Sequence, residues 1–105
     1  MLQIPTRPVP SQFMSVTLAN QLCRINLYQK TTGLYMDLYS NGSLVIGGVI
    51  CQNWNRIVRD SYLGFVGDFI IEDTAGVSDP DYTGLGSRYQ LIYLEAGDAL
   101  LTGDE

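Results

Sequence analysis

Histidine is absent from this 105-residue sequence, lysine occurs once, as Lys30, and tryptophan once, as Trp54. Without histidine the chain lacks the commonest zinc ligand and the usual general base of serine and cysteine nucleophiles. Only 16% of its residues are charged, against roughly 25% in an ordinary soluble domain. With 46% hydrophobic residues the composition argues against disorder, and so much uncharged surface suits a covering partner protein. No apolar run approaches the ~18 residues of a membrane span, and the opening MLQIPTRPVPSQF has no apolar core of a signal peptide. Synthesis in a cytoplasm, without membrane insertion, is therefore expected.

The length fits one domain with one core. Net charge is −5 with a pI near 4.4, so nucleic acid, which needs clustered Lys and Arg, is not the expected ligand. The charge is unevenly placed. Residues 1–67 carry five cations against Asp37 and Asp60, and residues 68–105 carry nine acids against Arg88, leaving +3 and −8. Such halves would orient copies or neighbours in an assembly, or else form a solvated acidic rim. Cys23 and Cys51, the two cysteines, sit in apolar surroundings and read as small buried hydrophobes rather than a disulfide.

Three prolines at positions 5, 8 and 10 remove amide donors and predict an extended arm or edge strand over residues 1–10. Period-two alternation then runs through Phe13–Leu18 and, past an Ala19-Asn20 turn, Cys23–Tyr28, which describes a hairpin. A second hairpin joins Leu34–Tyr39 to Leu44–Ile50 around Asn41-Gly42, a dipeptide that accepts the positive φ of a type I′ turn. Gly47-Gly48 predicts a bulge or a close backbone approach in its second strand. Trp54, Ile57 and Val58 match one helical face, so a short helix or turn is expected there. Strands follow at Phe69–Glu72 and Arg88–Glu95, separated by a long loop from Asp73 to Thr83, and the acidic tail 97–105 is expected to be loosely held. The sum is an all-β fold, a small antiparallel β-sandwich or barrel with at most one short helix, forming a single domain over 1–105.

The stretch DPDYTGLGSRYQLIYLE, from Asp79, poses the functional question. Gly84 and Gly86 have the spacing of a phosphate loop, but position 89 is Tyr, a strand follows instead of a helix, and no Gly-Lys-Ser/Thr occurs. Asp73, Asp79 and Asp81 are calcium-type oxygens without the spacing of an EF-hand, and Asp79-Pro80 reads as an ordinary turn. Glu72 or Glu95 with Asp73 would supply a carboxylate pair for glycosidic chemistry, yet one tryptophan and so short a chain hardly frame a sugar cleft. No catalytic, cofactor-binding or metal residue is therefore assigned. Seven tyrosines fit strands and interfaces alike, and at least half are expected to pack on a sheet.

Four blocks, IPTRPVPSQFMSVTL, INLYQKTTGLYMDLYSNG, GVICQNWNRIVRDSYLGFVGD and DPDYTGLGSRYQLIYLE, together resemble the phage baseplate plug family over nearly the whole chain, from Ile4 to about Glu95. The resemblance implies a structural virion protein of a contractile tail, located in the baseplate near the hub, tube and spike. It would be present in several copies in a threefold or sixfold ring, without cofactor or active site. Within that expectation Gly84 and Gly86 let the loop pass close to a neighbouring chain, Tyr82 anchors it, and Arg88 pairs with a carboxylate across the joint. The proline-bearing arm is likewise expected to add to a neighbour's sheet edge. The competing reading is a stand-alone β module that binds a carbohydrate or a calcium ion.

Overall fold

Alternation in the sequence becomes two antiparallel sheets in the computed structural model, which describes residues 2–58 and 65–95. The strands are β1 (Leu2–Ile4), β2 (Ser11–Leu18), β3 (Gln21–Lys30), β4 (Gly33–Ser40), β5 (Ser43–Ile50), β6 (Asp68–Asp73) and β7 (Tyr89–Leu94). A four-stranded sheet follows chain order, β2-β3-β4-β5, and a three-stranded sheet is ordered β1-β7-β6. Among the described residues the one helical element is a 3-10 turn at Tyr82–Gly84.

The four-stranded sheet is built by tight turns. Leu18 pairs with Gln21 across Ala19-Asn20, and Ser40 with Ser43 across Asn41-Gly42; all four central residues have positive φ, as type I′ turns require. Alternate residues of β3 and β4, among them Cys23, Ile25, Leu27, Leu34, Met36 and Leu38, turn inward and are almost fully buried. In β5 the register shifts near Gly47-Gly48, and Asp37 on β4 fills the irregularity: its Oδ1 accepts the Gly48 N–H at 2.7 Å and the Tyr28 hydroxyl at 2.9 Å. Burial pushes the Asp37 carboxyl up, but these bonds, with Asn26 and the Lys30 charge, outweigh it and leave the group below its ordinary value.

The three-stranded sheet pairs the two ends of the described chain, with Leu2 opposite Tyr93 and Ile4 opposite Leu91. Its inner face meets that of the first sheet in a shared core, in which Phe69 lies 5.7 Å from Phe65 and 5.4 Å from Tyr93 between ring centroids. Two glutamines tie the layers at their rims. The Gln21 amide bonds both backbone groups of Val66, and the Gln29 side chain accepts the Tyr82 N–H.

Residues 51–58 form no helix. Asn53 bridges Ile71 in parallel, and the N–H groups of Trp54 and Ile57 bond the carbonyls of Ile71 and Phe69, so this irregular segment covers the outer edge of β6. Asp68 fixes the end of the segment by accepting the N–H groups of Ile57 and Val58 at 3.1 and 2.7 Å. Ile57 and Val58 are buried, but Trp54, at φ 63°, is exposed, so the three do not share a helical face. The acidic tail and residues 62–64, the first three of the YLGFVGD block, lie outside the described residues.

Cys23 and Cys51 are both buried and unbonded to each other. Desolvation raises both thiols, Cys51 to about 12, so neither is a reactive thiolate near neutral pH.

Candidate functional site

The loop between β6 and β7 is organised by one carboxylate. Asp73 ends β6 with its side chain withdrawn from solvent, and Arg88 reaches back across fifteen residues to grip it in a fork, Nε to Oδ1 at 2.7 Å and Nη2 to Oδ2 at 2.8 Å. The same carboxylate accepts the N–H groups of Ala75 and Ser78, which curls the chain immediately after the strand. The Arg88 carbonyl in turn accepts both the N–H and the hydroxyl of Thr74. Arg88 is the chief cause holding the Asp73 carboxyl well below the usual carboxylate range, against an opposing contribution from burial. So firmly ionised a group cannot donate a proton as a general acid near neutral pH.

The other acids are engaged in the same local way. Asp79 accepts the Asn53 N–H at 3.1 Å, tying the loop to the segment that covers β6. Asp81 accepts the N–H and hydroxyl of Thr83 and so caps the 3-10 turn. Among the described residues no three acidic or sulfur side chains gather as a metal set.

The four residues expected to form a joint with a neighbour, Tyr82, Gly84, Gly86 and Arg88, each make close contacts within this chain. A Cβ on Gly84 would stand 2.5 Å from the Tyr89 ring, so glycine is what allows the turn to lie on that aromatic. Gly86, at φ 85°, brings the loop against the arm, where a Cβ would stand 2.5 Å from the Thr6 carbonyl oxygen. Tyr82 packs half-buried against the core, and the Arg88 guanidinium also lies 5.2 Å from the Tyr89 ring. Within the chain, the GLGS stretch joins the arm to β7.

A different surface emerges on the outer face of the four-stranded sheet, where the sequence reading singled out no site. Phe13, Leu22 and Leu44 stand exposed there, and Tyr28, Tyr35 and Tyr39 are half-buried. Tyr28 and Tyr35 stack at 6.1 Å with the Lys30 ammonium over both rings. Arg24 lies 4.6 Å over the Phe13 ring. Alternation in β2, β3 and β4 carried this signal, since the residues that do not face the core are Phe, Leu and Tyr more often than they are charged. Tyr89 and Tyr93, by contrast, are core residues.

The family described as cyanophage baseplate Pam3 plug gp18 matches residues 1–96 of the chain. The chain belongs to the cyanophage baseplate plug family. No curated protein matches it. As a baseplate plug protein it is a structural part of the phage tail that interacts with other baseplate proteins. A structural role accords with a loop whose carboxylates are engaged in shaping the plug protein itself.

Proposed function

We propose that this chain is a plug-like subunit near the tail axis, made in the host cytoplasm, present in several copies in a threefold or sixfold ring, and in contact with the hub and the tail tube. It performs no catalysis. The family match over residues 1–96 carries this reading. The aromatic and apolar outer face of the four-stranded sheet supports it, because such a surface is what a covering protein desolvates.

In this reading the β6–β7 loop is a second contact, made rigid from within. Gly84 and Gly86 seat it on Tyr89 and the arm, Tyr82 and Arg88 hold its shape, and Val77, 88% exposed at its tip, meets the neighbour. Size-exclusion chromatography with light scattering, on the chain alone and mixed with the hub and tube proteins of the same phage, tests the proposal. A stable complex with either protein is expected. Val77→Asp and Tyr82→Ala should weaken it while leaving the chain folded; a wild-type chain that stays monomeric and ignores both proteins would overturn the reading.

A further inference from the structure

Sheet edges are where a β protein is open to another chain, and three of the four edges here are blunted. β1 is only three residues long, β5 is interrupted beside Gly47-Gly48, and β6 is covered by the segment around Asn53–Ile57. The fourth, β2, runs eight residues, SQFMSVTL, with an unbroken register against β3 and no charged side chain or proline.

The turn at Ala19-Asn20 fixes which backbone groups β2 leaves over. Leu18 and Gln21 form the closing hydrogen-bonded pair, so by alternation Val16, Met14 and Gln12 also bond β3, and the ladder continues with the Gln29 N–H on the Pro10 carbonyl at 2.8 Å. The N–H and C=O groups of Ser11, Phe13, Ser15 and Thr17 point away from the sheet. Among the described residues no strand takes them up.

Both faces of this edge favour a particular guest. On the inner face an apolar groove opens between the layers, lined by Leu2 and Ile4 of β1 and by Met14, Val16 and Leu18 of β2. On the outer face the Arg24 guanidinium extends over Phe13 toward the edge, and among the described residues it contacts that ring and no carboxylate. We propose that β2 accepts an added strand from a neighbouring baseplate protein: an extended segment whose alternate apolar side chains enter the groove while a carboxylate on its other face meets Arg24. This inference deepens the baseplate reading and rests on it.

Amide exchange followed by NMR, on the wild-type chain alone and in complex with the hub or tube protein, reads the edge directly. The N–H groups of Phe13, Ser15 and Thr17 should exchange rapidly in the free chain and become protected in the complex. Ser15→Pro deletes an outward donor that the chain's own ladder does not use. It should weaken the complex on the order of tenfold, with Ser15→Ala near wild type and Arg24→Glu also weakened. If the wild-type complex forms with those amides unprotected, the strand-addition proposal falls and the baseplate reading stands, whatever the fate of the proline variant. Protection in the free chain together with self-association would make a second copy the occupant and overturn the proposal. Failure of the wild-type chain to bind either protein would overturn both readings.

Discussion

The two sheets reach the same core by opposite routes. The four-stranded sheet joins neighbours in sequence through two-residue turns, so each strand is positioned by the one before it. The three-stranded sheet brings β1 to β7 from the far end of the chain, as the Gln3–Gln90 side-chain bond shows, and relies on point fixtures: the Asp73–Arg88 fork, the Asp68 cap and the Gly86–Thr6 approach. Local turns specify a sheet redundantly, whereas long-range pairing must recover the entropy of closing a large loop from a few well-made joints.

That contrast is broken hardest at the shared core. Phe69→Ala removes the ring between Phe65 and Tyr93 and should cost about 3 to 5 kcal/mol, measured by urea unfolding. Gly86→Ala comes next: a side chain at positive φ pressed on the Thr6 carbonyl should cost about 2 kcal/mol. Amide exchange should then quicken selectively in β1 and β7 while β3 and β4 keep their protection.

The ion pair sharpens the comparison in acid. The folded chain holds the Asp73 carboxyl below its ordinary value, so the unfolded chain binds the proton first. The stability this contributes is whole above about pH 4 and is lost as the pH falls below it. Asp73→Asn should lower the urea midpoint at neutral pH and flatten its decline between about pH 4 and pH 2, converging on wild type in acid. The smallest effect is expected in the redundant sheet. Ala19, at φ 50°, carries a side chain where a type I′ turn favours glycine, and Ala19→Gly should raise stability by about 0.5 kcal/mol in thermal unfolding.

The same division explains what the sequence disclosed. Asn41-Gly42, Ala19-Asn20 and the Gly47-Gly48 irregularity were legible because turn chemistry is local. The strands at Phe69–Glu72 and Arg88–Glu95 were legible to within a residue of β6 and β7, since they are short apolar runs bounded by turn residues. Of the helix or turn expected from Trp54 to Val58 only a turn forms, because three apolar residues at helical spacing do not reveal that Asp68, ten residues beyond Val58, claims the N–H groups of two of them. Gly84, Gly86 and Arg88 stood out as unusual, but what they touch, Tyr89, Thr6 and Asp73, is set by folding. Nothing in residue type alone distinguishes a close approach within one chain from a close approach between two. The apolar outer face and the open edge of β2 needed the register, because alternation alone does not say which strand lies at an edge.

The central claim is that this two-sheet domain is a baseplate subunit, and a cryo-EM map of the tail from the phage that encodes it tests that most directly. The account predicts density for the domain within the baseplate, close to the axis and against hub and tube. A complete baseplate map in which every region of density is filled by other chains would contradict it.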